Sequence, residues 1–234
     1  MSVNSFSRGA FTPLLFVCRP LGVLTGTVLL MACSSQPPIP PFTASGYIAD
    51  QGVVRIWRKD NSDDGSIHML AVFSPLQKGV TSSNDYRWQG EQLVSIEMTI
   101  QSQPPEHVKV RFDDHGELSF MQREVNGQKQ QLSNDQIALY QYQASQTKAT
   151  SEALRIGRVV LRQGRWHSNG TVTTCEGETF EPKLDSVSLN HIANRQRHSS
   201  LDVSIAWLEA PEGSQLLLVA NQDFCSWQPK PATF

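Results

Sequence analysis

The chain is 234 residues long, carries 20 Lys plus Arg against 22 Asp plus Glu, and has a net charge of −2. That mild acidity, with no basic patch, argues against nucleic acid as a partner. The length fits one folded domain behind a leader, and a domain of that size buries about 70% of its unfolded surface without metal staples.

The first 32 residues contain no Asp or Glu and only Arg8 and Arg19 as charges, and they close on the apolar run LGVLTGTVLLMA, residues 21–32. A positive start, an apolar run of about 7–15 residues and a small residue at the cut describe a secretory signal peptide. The quartet Leu30-Met31-Ala32-Cys33 resembles the lipobox of bacterial lipoproteins. There the signal is cut before the cysteine, the thiol is diacylated and the new amino terminus is acylated. Residues 1–32 are therefore read as a lipoprotein signal peptide and Cys33 as the lipidated first residue of the mature chain. An uncut anchor fits less well, because the apolar run is too short for about 30 Å of hydrocarbon. Extending it back to Phe11 encloses Arg19 and Pro20, and the Arg alone costs roughly 2.5–3.5 kcal/mol. An ordinary cut nearby, with Cys33 incidental, is the other alternative. Removing the leader takes away two cations and no acid, which leaves 202 residues at a net charge of −4.

Residues 33–42 read as a tether: Ser34-Ser35-Gln36 and then Pro37, Pro38, Pro40 and Pro41. At about 3.1 Å per residue, such a segment holds a domain up to roughly 30 Å from the lipid. Several acyl chains, at about 0.8 kcal/mol per buried CH₂, make the anchor permanent. In lipoproteins of this type an Asp after the cysteine retains the protein in the inner membrane. Ser34 stands there, so resemblance implies the outer membrane, facing the periplasm. Residues 43–234 are then a single periplasmic domain.

From Ala44 to Gln131 the chain reads as strands: ASGYIAD, GVVRIWRK, SIHMLAVFS, DYRWQGEQLVSIEMTIQ, HVKVRFD and ELSFMQREV. In HVKVRF, Val108, Val110 and Phe112 alternate with His107, Lys109 and Arg111, the period-2 mark of a half-buried antiparallel strand. Spacings of about 10–15 residues predict a meander with one buried and one wet face. At Leu132 the period changes. Ser133-x-x-Gln136 is a capping box, and Ile137, Tyr140, Ala144 and Lys148 share a face, with Ala153 and Ile156 farther along. A helix of about 15–28 residues is expected, with breaks possible near Thr150 or Gly157. Asn169-Gly170 signals a hairpin, and residues 184–197 hold a second candidate helix. LDVSIAWLEA and SQLLLVANQDFCSW return to strand, with residues 216–219 read as buried on both faces. The fold class is α+β, a curved antiparallel meander with one main helix packed on it and a C-terminal β-hairpin.

Cys18 leaves with the signal and lipid takes Cys33, so Cys175 and Cys225 remain as a pair. In an oxidising periplasm they are expected to form a disulfide, closing a loop of about 50 residues worth roughly 4 kcal/mol. Two free buried thiols are the alternative. Zinc is disfavoured because neither cysteine has a Cys or His at ligand spacing.

No G-x-S-x-G, H-E-x-x-H, P-loop or G-x-G-x-x-G motif is present. Ser145-Gln146-Thr147-Lys148 matches S-x-x-K, in which a neutral lysine takes the serine proton, but the S-D-N and K-T-G partners of that chemistry are missing. The fragment is read as a solvated helix face. The six histidines, His68, His107, His115, His167, His191 and His198, are scattered. His191 and His198 share a helix face only beside Arg195 and Arg197, which repel a cation. Asp63-Asp64 and Asp113-Asp114 adjoin glycines in turns, where Asp bonds its own backbone. Trp57, Trp88, Trp166, Trp207 and Trp227 are read as core. No metal, cofactor or catalytic residue is expected.

The lipobox, GYIADQGVVRIWRK, VRFDDHGELSFMQREV and AWLEAPEGSQLLLVANQDFCSWQP, taken together, resemble the enterobacterial YjaH family of predicted lipoproteins, over nearly the whole chain. The family has no assigned activity, so the resemblance implies an address and no catalytic residue. The sheet-then-helix order is also similar to that of the outer-membrane lipoprotein receptor LolB and its carrier partner, open half-barrels with helices over an apolar cavity. That likeness is one of fold alone. The expected role is non-catalytic: contact with an envelope protein or peptidoglycan, or, as the alternative, carriage or sensing of an apolar ligand.

Overall fold

The computed structural model describes residues 37–234. Its first half is a meander of eight antiparallel strands, each paired with its chain neighbours. They are β1 (Phe42–Ala49), β2 (Gly52–Asp60), β3 (Ser66–Pro75), β4 (Ser82–Gln89), β5 (Gln92–Ile100), β6 (Glu106–Phe112), β7 (Leu118–Val125) and β8 (Gln128–Gln130). In β6 the alternation of the sequence becomes burial residue by residue: Val108, Val110 and Phe112 face inward while His107, Lys109 and Arg111 face water. Asn126 and Gly127 both take positive φ, 53° and 73°, the type I′ geometry that reverses β7 into β8.

α1 (Asn134–Ile156) lies on one face of this sheet. Its start is the capping box: Gln136 N donates to Ser133 Oγ at 3.2 Å, and Ser133 N donates to Gln136 Oε1 at 2.9 Å. The helix runs unbroken past Thr150 and stops at Gly157. Ile137, Ala144 and Ser151 form its buried seam, with Tyr140 packed beside them. They meet Met69, Tyr86, Ile96, Met98, Val108 and Val110. Ala153 and Ile156 are exposed, because the last turn is held by charge instead. Arg155 reaches Asp60 at 2.7 Å and Glu152 at 3.1 Å, and Arg58 bonds Asp60 at 2.6 Å. Arg58 also stands 2.8 Å from Glu152, close enough for an ion pair though not aligned for a hydrogen bond.

The second half builds a separate sheet. Its elements are β9 (Val160–Trp166), β10 (Val172–Thr174), β11 (Thr179–Phe180), α2 (Ser186–Arg197), β12 (Ser204–Ala210) and β13 (Gly213–Ala220), followed by a 3₁₀ turn at Phe224–Trp227. The strand order is β11-β10-β9-β12-β13, so β12 returns across α2 to lie beside β9. Leu161, Ala206, Leu208 and Leu217 pack against Val53, Trp57 and Val72 of the first sheet, with Phe224 between them. On the far side Trp166, Val172, Ile205 and Trp207 pack against Ile192 of α2. The layers are therefore α1, first sheet, second sheet and α2. β2 is buried on both faces, Ile56 beneath α1 and Trp57 beneath the second sheet. A single wet-faced meander does not require this. Gly164 permits the close approach of β10: a Cβ there would stand 2.2 Å from the Thr173 carbonyl oxygen.

Residues 216–219 are packed on both faces, Leu217 and Leu218 toward the first sheet and Leu216 and Val219 toward α2. They nevertheless lie on an outer strand, so Leu217 alone of the four is fully buried.

Candidate functional site

Cys33 lies outside the described residues. Cys175 and Cys225 are bonded, with Cα atoms 5.2 Å apart across 50 positions of sequence. The bond ties the loop after β10 to the 3₁₀ turn, whose Phe224 is fully buried. Ser145 and Lys148 do not face each other as nucleophile and base. Ser145 Oγ donates to the Gln141 carbonyl at 3.0 Å, and Lys148 Nζ donates to Glu91 at 2.6 Å. That bond holds the Glu91 carboxyl below the usual range.

The histidines stay apart. His68 pairs with Asp85 at 2.6 Å, His167 with the Thr173 hydroxyl at 2.7 Å, and His198 donates to the Asn194 carbonyl at the end of α2. Among the described residues no three His, Cys, Asp or Glu converge as a metal set. Asp64 accepts from Ser66 N, and Asp113 from His115 N and Glu117 N, so both serve their turns. Trp57, Trp88, Trp166 and Trp207 are core, and Trp227 is half-buried against it.

One polar group is unexpected. Arg55 is only 1% exposed between the two sheets. Its Nη1 donates to Gln163 Oε1 at 3.0 Å and its Nη2 to Ser74 Oγ at 3.3 Å, while its guanidinium lies 4.9 Å from the Phe224 ring. Gln163 Nε2 in turn donates to the Phe224 carbonyl and to Gln228 Oε1, each at 3.0 Å. No carboxylate reaches Arg55 among the described residues, and burial pulls its pKa down to about 10. The visible trace in GVVRIWRK is that Val53 and Trp57, flanking Arg55 on its own face, are apolar too. A strand with apolar residues in both phases is covered on both sides.

Two open concavities lie away from α1. One, of about 540 Å³, adjoins the cystine between Arg165, His167 and Asp202. The other, of about 510 Å³, runs along residues 216–220 of β13. Pro75 and Leu76, at the end of β3, form one wall of it. Val187, His191 and Arg195, four residues apart on α2, form the other, and no Asp or Glu lines it.

A family model described as "Protein of unknown function (DUF1481)" matches residues 44–230. The chain belongs to this family. The match begins in β1 and ends beyond the 3₁₀ turn, so it takes in both sheets, both helices, the cystine and the β13 groove. The uncharacterized protein YjaH of Escherichia coli (strain K12) is 60% identical over 233 residues, which is 99% of this chain and 100% of that protein. The likeness read from the sequence motifs therefore spans nearly the whole chain. No solved structure matches the chain.

Proposed function

We propose that the chain is a lipid-anchored protein of the bacterial outer membrane whose folded body faces the periplasm and acts by binding another envelope component, without catalysis. The observation that carries this reading is the Cys175–Cys225 bond. A structural cystine calls for an oxidising compartment, and the apolar leader ending in Leu30-Met31-Ala32-Cys33 supplies both the route there and the acceptor for lipid. Binding is favoured over carriage by the packing under α1. An apolar carrier needs an enclosed cavity there, whereas Leu132, Ile137 and Ala144 are seated directly on the first sheet. The concavities on the outer surface are open grooves, suited to a macromolecular partner.

Replacing Cys33 with Ala tests the anchor. The variant is expected to lose palmitate labelling and to leave the membrane fraction; continued sedimentation with membranes would overturn the reading. Native mass spectrometry of the full chain in mild detergent tests carriage. A bound mass removed by organic solvent would replace surface binding with cargo transport.

A further inference from the structure

The described sheets have four edges, and three of them are blunted. β8 is three residues long with Lys129 at its centre, β11 is two residues long, and β1 lies against β9 and α1. β13 differs from these. It is eight residues, GSQLLLVA, with no charge and no proline, and its backbone hydrogen-bonds only to β12 among the described residues. Proteins normally shorten, charge, kink or cover such an edge, because its free N–H and C=O groups recruit any available strand. A bulge opposite Ala206/Trp207 is the one such device on β13.

The groove beside β13 follows this edge. Five consecutive residues, 216–220, line it. These residues belong to both faces of the strand, Leu216 and Val219 toward α2 and Leu217 and Leu218 toward the first sheet. A groove touched by all of them runs along the backbone rim. Leu76 and Val187, 54% and 74% exposed, place bare apolar surface on its two walls. The charge is one-sided. α2 contains no acid, and Arg195 is exposed with no ion pair among the described residues.

We propose that the free edge of β13, walled by α2, is a strand-addition site for an extended segment of a partner protein. That segment adds a sixth strand to the second sheet over about 16 Å, the length of five residues. It places apolar side chains against Val187 and Leu76 and an acidic side chain against Arg195. A second copy of this chain is the poorer occupant, because edge-to-edge pairing sets two Arg195-bearing walls together with no acid lining either groove. The inference rests on the reading of the chain as an envelope binding protein and names the partner chemistry for it.

The test uses the full chain in mild detergent and two short valine-rich synthetic peptides, one carrying a single central glutamate and the other a lysine at the same position. Amide hydrogen exchange of residues 214–220 reports strand addition, and fluorescence titration reports affinity. The glutamate peptide is expected to slow exchange there and to bind better than the lysine peptide. Arg195→Glu, at an exposed position, is expected to weaken the glutamate peptide about fivefold and to favour the lysine one. Val187→Asp, equally exposed, is expected to weaken the glutamate peptide without unfolding the protein. Three results would overturn the inference: unchanged exchange at millimolar peptide, equal binding of both peptides, or protection that rises with protein concentration and needs no peptide. Fractionation of the Cys33→Ala variant reads the anchor independently, so the two failures are separable.

Discussion

Replacing Gln163 with Leu keeps the volume at the sheet interface nearly constant and removes its hydrogen bonds. Arg55 Nη1 then loses its acceptor at 3.0 Å, and the Phe224 carbonyl loses its donor at the same distance. A hydrogen bond to a charged group contributes about 1.5–3 kcal/mol and an orphaned carbonyl adds about 1 kcal/mol, so the loss is about 3 kcal/mol. For a body of this size that lowers Tm by about 6–12 °C. The Ser74 hydroxyl, at 3.3 Å, remains and keeps the loss below that of a fully stranded cation. Adding Arg55→Met removes the buried charge, and apolar replacement of a buried polar pair is neutral or stabilising by about 1–4 kcal/mol. The double variant should therefore be more stable than Gln163→Leu alone. Urea and thermal unfolding of the two single variants and the double, with the disulfide intact, close the cycle. If Gln163→Leu unfolds with the wild type, or if the two losses simply add, the cluster does not hold the sheets together as argued.

Replacing Cys175 and Cys225 with Ser releases a loop of 50-residue separation. The loss is expected at about 4 kcal/mol, or about 8–16 °C in Tm; an unchanged melting curve would remove the bond from the stability argument. Burial beneath α1 pushes the Tyr86 hydroxyl up to about 12 from 10. Stability from this group is complete below pH 10 and fades as pH climbs toward 12. Tyr86→Phe should flatten that alkaline decline in urea midpoints, and an identical decline would refute the assignment. Gly164→Ala drives a methyl into the Thr173 carbonyl and is expected to cost about 1–3 kcal/mol or more. A neutral effect in thermal unfolding would show that β10 can give way.

Short-range features were legible because each partner is a few residues away. The Ser133–Gln136 box, the alternation of β6, the Asn169-Gly170 reversal and α2 near residues 184–197 all follow from local spacing. The cysteine pair was legible by elimination, and the lipobox reading belongs to sequence alone. Long-range assembly was not. Nothing local tells β12 to return beside β9, or tells the second-half strands to form their own sheet over β2. That packing makes Arg55 a buried cation, of which the only local trace is that Val53 and Trp57 on its own face are apolar. It also leaves β13 at an open edge, although LLLV reads as a strand enclosed on both sides. Sequence period records which side chains are apolar and on which phase they fall. Which surfaces meet, and which backbone edge stays unpaired, depends on contacts between residues a hundred or more positions apart, such as Arg55 and Gln163.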